Sequence, residues 1–185
     1  MKFKLHTLKT ASEQSLPLLE ATKKSFGLLP NLHGILAESP AAMQAYNALH
    51  QSFMSTSLDA TEKTVVWQSI NVEHKCHYCV PAHTGVANMM DVDQAVTTAL
   101  RDESPLPSAK LEVLRDTTLA LVRNRGHLSE EQLQAFTDAG YESQQLLEII
   151  VGLAQKVVSN YVNHLAKTPV DPAFEEFAWT PVSDR

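Results

Sequence analysis

The chain has 185 residues, of which 44% are hydrophobic and 19% are charged, and this balance is typical of a globular protein with a single core. Its 15 basic and 21 acidic residues give a net charge of −6, and the basic residues are scattered, so we expect no nucleic-acid partner. No window approaches the roughly 18 consecutive apolar residues of a membrane span, and the N-terminus lacks the apolar region of a secretory signal, so we expect a cytoplasmic protein.

The N-terminal third of the sequence predicts three helices. Pro17 fits the first turn of a helix that stops at Gly27. Pro30 and Pro40 mark the starts of the next two helices, because proline is tolerated in the first turn but not in a helix interior. Apolar residues near three-and-four spacing within 43–53 predict the buried face of the third helix.

The middle of the chain predicts further helices on both sides of a cysteine motif. Asp59 and Glu62 have the spacing of a capping box, the reciprocal pair of hydrogen bonds that opens a helix. The segment after the motif continues as a helix to about Asp91, and a short helix follows it. Residues 104–108, which contain two prolines and two serines, form a predicted linker within a single domain, 1–185.

The C-terminal helical part, about residues 107–166, predicts three more helices. An amphipathic helix ends at Gly126, and Ser129 with Gln132 predicts a second capping box, whose helix ends at Gly140. The longest and most apolar helix follows, and then a polar tail. Because the alternating pattern of β-strands is missing, we predict an all-α bundle of about eight or more helices.

Both cysteines of the chain lie in the segment CHYCVPAH, 76–83, within a predicted redox core of about 58–91. On a helix, His83 lies one turn after Cys79, and the sulfurs of Cys76 and Cys79 can approach within disulfide range. A histidine base would take the proton of Cys79, whereas the positive end of the helix favours a thiolate at Cys76. The sequence therefore does not decide which of the two sulfurs attacks. We predict a dithiol that attacks a peroxide or a disulfide and then closes to a Cys76–Cys79 bridge.

A catalytic base also needs a group that orients it and takes its proton. Glu73, three residues before the first cysteine, is the first candidate, and Glu62 and His74 are weaker ones. The predicted catalytic residues are therefore Cys76, Cys79, His83 and Glu73.

Most other polar residues are predicted to have structural roles. Four histidines are predicted surface or capping groups: His33, His50, His127 and His164. Trp67, Met89 and Met90 are predicted core residues. Asn160 and Asn163 are predicted capping or binding groups without a catalytic part.

Two alternatives to a redox enzyme arise from the same motif. One is a non-enzymatic redox-sensing or binding module, whose disulfide changes packing or assembly. The other is a zinc site with Cys76, Cys79 and His83 as ligands and His74 or His77 as the fourth. Structural zinc usually recruits a second ligand pair far along the chain, and this chain has no second cysteine pair, so we expect no metal and no cofactor.

The segment INVEHKCHYCVPAHTG, 70–85, resembles the core of the AhpD-like alkylhydroperoxidases, within the carboxymuconolactone decarboxylase superfamily. Residues 26–49 resemble the segment that precedes this core in the peroxidase-related branch. Residues 126–166 resemble its C-terminal helical pair, and 170–179 resemble its tail. The resemblance covers nearly the whole chain, and the cysteine motif is its most specific part.

The resemblance implies an all-α, homo-oligomeric protein that reduces hydroperoxides through Cys76, Cys79 and His83, with electrons from a partner thiol system. Members of the family carry a glutamate of the proton relay twelve residues before the first cysteine, where this chain has Thr64. Glu73 is the substitute candidate, because similar branches carry a glutamate at that place. The decarboxylases of the superfamily generally lack the cysteine pair, so we predict the redox activity over decarboxylation.

Overall fold

The computed structural model, which describes residues 2–185, consists of α-helices joined by short turns and has no β-strand in that range. In chain order the helices are α1 (Leu16–Phe26), α2 (Asn31–Leu36), α3 (Pro40–Met54), α4 (Ala60–Glu73), α5 (Cys79–Met89), α6 (Gln94–Arg101), α7 (Ala109–Arg123), α8 (Glu130–Asp138) and α9 (Ser143–Ala166). Two 3-10 helices, Pro172–Phe177 and Val182–Asp184, follow in the tail. The all-α prediction is confirmed. Over the described residues, no helix has both the length and the apolar character to cross a membrane.

The two predicted capping boxes are present as hydrogen bonds at the starts of α4 and α8. Asp59 accepts a bond from the Glu62 amide at 2.8 Å, and the Glu62 carboxylate accepts one from the Asp59 amide at 3.0 Å. Ser129 and Gln132 form the same reciprocal pair at the start of α8. These bonds satisfy amide groups that have no partner inside the helix, and so they determine where α4 and α8 begin.

Helix α4 is the centre of the bundle and packs against α5, α6, α7 and α9. It is buried on nearly every side, with Val65, Trp67 and Ile70 in the main core. A helix that is surrounded by other helices loses the contrast between an apolar and a polar face. Its buried polar residues, such as Gln68 and Asn71, are therefore available for contacts with the cysteine motif.

The C-terminal tail is anchored in the bundle. Asp171 accepts a hydrogen bond from the Tyr78 hydroxyl at 2.5 Å and another from the Asn31 amide, at the start of α2, at 2.8 Å. Phe174 lies against Gly85, where a Cβ atom would be only 2.5 Å from the phenylalanine ring. The tail thereby connects α2, the cysteine motif and α5.

We expect Asp171→Ala to lower the free energy of unfolding by at least about 2 kcal/mol, because it leaves the buried Tyr78 hydroxyl and the Asn31 amide without their acceptor. Urea unfolding followed by circular dichroism measures this loss. Glu176→Ala is the matched control, since Glu176 is an exposed carboxylate of the same tail. Equal stability of the two variants would contradict the anchoring role of Asp171.

Candidate active site

The two cysteines lie at the turn between α4 and α5, buried and as free thiols. Lys75 adopts a left-handed conformation with φ 51°, and the next amide, of Cys76, donates to the Asn71 carbonyl at 2.9 Å. Cys79 is the first residue of α5, and its amide donates to the Cys76 sulfur at 3.3 Å. The turn thus places the Cys76 sulfur at the N-terminus of α5.

A chain of buried amides holds this turn in place. The side-chain nitrogen of Asn71 donates to the side-chain oxygen of Gln68 at 3.0 Å and to the Cys79 carbonyl at 3.4 Å. The Asn160 amide nitrogen donates to the Asn71 oxygen at 3.0 Å, and His74 is bonded to the Asn160 oxygen at 2.9 Å. Because every link is buried or partly buried, the network couples the position of Cys79 to both α4 and α9.

One face of Cys79 lines a cavity of about 250 Å³, which we call the Cys79 cavity. Cys76 is not among the lining residues. Most of the wall is apolar or aromatic, and includes Leu32, Tyr46, Trp67, Tyr78, Ala82, Val86 and Phe174. Phe26, Met54 and Met89 also line the cavity and are exposed, so they form its rim. The cavity is larger than the ~150 Å³ that encloses benzene, and so has room for a compact organic molecule.

Lys156 of α9 brings an amino group into the wall of the Cys79 cavity, a position that no local pattern in the sequence indicates. The residue is only 1% exposed, and its Nζ atom lies 2.7 Å from Nε2 of His83. Among residues 2–185, no carboxylate lies within ion-pair distance of it. Burial lowers the pKa of Lys156, and the nearby thiols of Cys79 and Cys76 act in the opposite direction.

The environment of Cys79 favours the thiolate. Burial alone raises the pKa of this thiol, but the hydrogen bond from the Cys76 thiol and the positive charge of Lys156 lower it. The Asn163 amide, which donates to the Cys79 sulfur at 3.2 Å, acts in the same direction, and the net pKa is about 6. The pKa of Cys76 is raised by its hydrogen bond to Cys79 and by burial. The two thiols are therefore unequal, with Cys79 the more acidic.

His83 lies in the same cavity as Cys79, but it is bonded to Lys156 and makes no hydrogen bond to a thiol within the described chain, so its role as a base for Cys79 stays a prediction. Burial, and then the charge of Lys156, hold its pKa well below the usual range, so the imidazole is neutral. Its other nitrogen, Nδ1, is buried without a partner in residues 2–185.

His33 and His50 also line the Cys79 cavity. The prediction that these two histidines are surface or capping groups is therefore wrong. Burial, followed by the charge of His50, lowers the pKa of His33 to about 4. Burial, followed by the charge of Lys156, lowers that of His50 to about 4. Met89, predicted to fill the core, is instead 70% exposed at the rim. Spacing in the sequence could not reveal these positions, because the cavity is assembled from separate helices.

Glu73 is not brought to the cysteines. Its carboxylate accepts two hydrogen bonds from Arg123 of α7, at 2.9 and 2.6 Å, and these bonds lower its pKa. It does not line the Cys79 cavity. Thr64, at the position of the family's relay glutamate, donates its hydroxyl to the Ala60 carbonyl within α4. A relay through Glu73 stays a prediction, and it would require Glu73 to leave Arg123.

The residues of the zinc alternative are not arranged as ligands. In the range 2–185 there is no group of three or more His, Cys, Asp or Glu side chains that could hold a metal ion. The two candidate fourth ligands have other partners: His74 is bonded to Asn160, and His77 to the Thr168 carbonyl at 3.0 Å.

We expect Cys79 to be alkylated by iodoacetamide with a rate that rises through about pH 6, as its thiolate forms. Cys76→Ala removes the thiol that hydrogen-bonds the Cys79 sulfur, and it should therefore shift this rise to higher pH. Mass spectrometry of the modified peptide measures the rate against pH. A rise at the same pH in both proteins would show that Cys76 does not lower the pKa of Cys79.

No protein-family model matches the chain, and no curated protein matches it in sequence. Solved structures do match. An uncharacterized peroxidase-related protein from Ralstonia eutropha JMP134, described as an alkylhydroperoxidase AhpD core, superposes with a TM-score of 0.82 at 17% identity, over 94% of this chain and 93% of that one. A peroxidase-related protein from Silicibacter sp. TM1040 superposes with a TM-score of 0.77, also at 17% identity, over 94% and 95% of the two chains.

A third similar structure is a cysteine-to-alanine variant of the debrominase Bmp8 in complex with 2,3,4-tribromopyrrole. It has a TM-score of 0.74 at 16% identity, over 94% of this chain and 96% of that one. All three likenesses extend over nearly the full length of both chains. This chain therefore has the AhpD-like helical fold, as the resemblance of its sequence implies.

Proposed function

We propose that the chain is a thiol-dependent peroxidase that reduces organic hydroperoxides, with Cys79 as the attacking and Cys76 as the resolving cysteine. The observation that carries the proposal is the inequality of the two thiols. Cys79 lines the cavity and has a pKa of about 6, whereas Cys76 lies outside the cavity wall with a raised pKa. A nucleophile must be ionised and accessible, and only Cys79 meets both conditions.

The reaction balances as a two-electron reduction. The Cys79 thiolate attacks one oxygen of the hydroperoxide, an S–O bond forms, the O–O bond breaks, and the alcohol leaves after taking up a proton. The Cys76 thiol then attacks the sulfenic acid at Cys79, which gives a Cys76–Cys79 disulfide and releases water. An external thiol donor reduces the disulfide by exchange and is itself oxidised.

The walls of the Cys79 cavity favour an apolar substrate. Tyr46, Trp67, Tyr78 and Phe174 line it together with aliphatic side chains, and burial keeps its histidines neutral. A charged disulfide would lose its hydration there, and the one cationic side chain of the wall, Lys156, is already placed beside the Cys79 thiolate. An alkyl or aryl hydroperoxide fits the volume of about 250 Å³ and gains from burial of its apolar part.

The same cavity supports a second candidate function, the reductive removal of halogen from a small aromatic ring. A similarly folded protein is described as a debrominase in complex with 2,3,4-tribromopyrrole. The reaction would replace the carbon–halogen bond by carbon–hydrogen, release the hydrogen halide, and oxidise Cys76 and Cys79 to the disulfide. Halide release from a bromopyrrole, without turnover of an organic hydroperoxide, would favour this function over the first.

We also propose that the chain forms a homo-oligomer through α9. Exposed apolar side chains lie along one side of this helix, at Leu147, Ile150, Tyr161 and Leu165. Their separations of three, eleven and four residues, which are close to whole helical turns, give a stripe that a second copy of α9 can cover. Sedimentation velocity measures the assembly, and a monomer at all concentrations would contradict it.

We expect Cys79→Ser to abolish the consumption of an organic hydroperoxide, because serine is not ionised at neutral pH. Cys76→Ser should stop, in the absence of a reductant, at a sulfenic acid at Cys79 that dimedone traps, and should form no disulfide within the chain. An assay of peroxide loss with dithiothreitol measures the first variant, and mass spectrometry after one equivalent of hydroperoxide measures the second. Turnover by Cys79→Ser, or a Cys79 thiol that stays unoxidised in Cys76→Ser, contradicts the two-cysteine mechanism. A dithiol that oxidises without any turnover would instead support the redox-sensing module.

We expect Glu73→Gln to leave the pH profile of turnover unchanged, because the Glu73 carboxylate is bonded to Arg123 and does not line the cavity. The free energy of unfolding should fall by no more than about 1 kcal/mol, since Arg123 is largely exposed. Initial rates against pH, compared with the unaltered chain, test this. A shifted profile would restore Glu73 as the relay.

A further inference from the structure

Lys156 is a buried amino group without a carboxylate partner in residues 2–185. Lys63, the other buried lysine, donates to the carbonyl oxygens of Leu58 and Thr56. Lys156 instead lies in the apolar wall of the Cys79 cavity, and its only hydrogen-bond partner in the described chain is His83. An isolated ammonium ion in such a site is costly unless a negative charge accompanies it.

The one group around Lys156 that can supply this charge is a thiolate. The titratable residues facing it come from α2, α3, α5 and the cysteine turn, and they are His33, Tyr46, His50, Cys76, Tyr78, Cys79 and His83. Burial holds the three histidines neutral and raises the pKa of both tyrosines. Cys79 is the acidic member of this set.

We propose that Lys156 is the proton donor of the redox step: it holds a proton while Cys79 is a thiolate and releases it, through His83, to the leaving group when Cys79 is oxidised. This inference rests on the proposed redox function of the two cysteines. It assigns the relay to a lysine of α9, whereas the family's relay glutamate has no ionisable counterpart at Thr64.

The two ring nitrogens of His83 provide a path for the proton from Lys156 to the leaving group. Lys156 donates to Nε2 at 2.7 Å, so the hydrogen of the neutral imidazole lies on Nδ1. This Nδ1–H group is buried without a partner in residues 2–185, on a ring that lines the cavity beside Cys79. Because Nδ1 has almost no accessible surface, the ring must shift toward the cavity before a substrate oxygen can accept from Nδ1 while Nε2 accepts from Lys156.

The step balances without any proton from solvent. The Cys79 thiolate forms an S–O bond, the O–O bond breaks, and the electron pair leaves on the alkoxide oxygen. The alkoxide takes the Nδ1 proton of His83, and Lys156 gives its proton to Nε2, so the imidazole changes tautomer but stays neutral. Loss of the thiolate charge leaves Lys156 without its counter-ion, and this drives the release. Closure to the disulfide then uses the Cys76 proton to form water.

The direct test counts protons in the unaltered chain. Diamide, a thiol oxidant that takes up two electrons and two protons, converts the dithiol to the disulfide whether or not the chain reduces peroxides. In weak buffer at pH 7, with an indicator dye, we expect close to no net proton uptake for each disulfide formed, because Cys76 and Lys156 supply both protons. Uptake of one proton for each disulfide would mean that Lys156 keeps its charge, and would overturn the proposal.

A lysine variant assigns the proton to this residue. Lys156→Met should lower the rate of Cys79 alkylation at pH 7 by roughly tenfold or more, since the thiolate loses its counter-ion. At a pH high enough to ionise Cys79 in this variant, proton uptake on oxidation should rise to about one. Lys63→Met is the matched control, because Lys63 is also buried but does not line the cavity, and it should leave both measurements unchanged.

An alkylation profile that is the same in Lys156→Met and in the unaltered chain would contradict the inference. If Lys156→Met does not fold, the proton count on the unaltered chain still decides. Failure of the proposed peroxidase function gives a different pattern. No hydroperoxide would be turned over, but diamide oxidation would still take up close to no protons, and Lys156→Met would still slow the alkylation of Cys79.

Discussion

The hydrogen bond between Lys156 and His83 connects the amino group of α9 to the imidazole of α5 inside a largely apolar cavity. No carboxylate of the described chain pairs with Lys156. In a medium of low polarity, the charge of the lysine and the charge of the Cys79 sulfur depend on each other, because either one alone is costly. The hydrogen bond from the Cys76 thiol and the charge of Lys156 together make Cys79 the more acidic of the two cysteines, and the proposed chemistry depends on this inequality.

Polar side chains of α4 and α9 hold these groups in their positions. Helix α4 supplies Gln68 and Asn71, which hold the turn of the cysteine motif, and α9 supplies Asn160 and Asn163, which bind Asn71 and the Cys79 sulfur. The same helix carries Lys156 one turn before Asn160. A rigid helix thus places the ammonium group and two amides beside the thiol, where they need little rearrangement during the reaction.

The all-α fold was predictable because helix signals are local. The capping pairs Asp59–Glu62 and Ser129–Gln132 and the glycine at 27 act within a few residues of chain. The pairing of Cys79 and His83 in one cavity was predictable for the same reason, since the two are one helical turn apart. Lys156, in contrast, lies 73 residues from His83, and sequence alone does not state which helices face each other.

Tertiary packing also explains the positions that the sequence did not reveal. His33 and His50 looked like isolated polar residues, but α2 and α3 fold over the cavity, which buries His33 and partly buries His50. Glu73 is close to the motif along the chain, yet it lies at the end of α4 and binds Arg123 of α7. Proximity in sequence is a guide to the site only within one element, and the remainder depends on tertiary packing.

The most direct test of the redox role is the state of the two cysteines after reaction with one equivalent of an organic hydroperoxide. Mass spectrometry of the intact chain and of its peptides, without reductant, detects the loss of two hydrogens and the linked residues. We predict one disulfide, between Cys76 and Cys79, formed within a single turnover. Two free thiols after exposure to the hydroperoxide would contradict the proposed function.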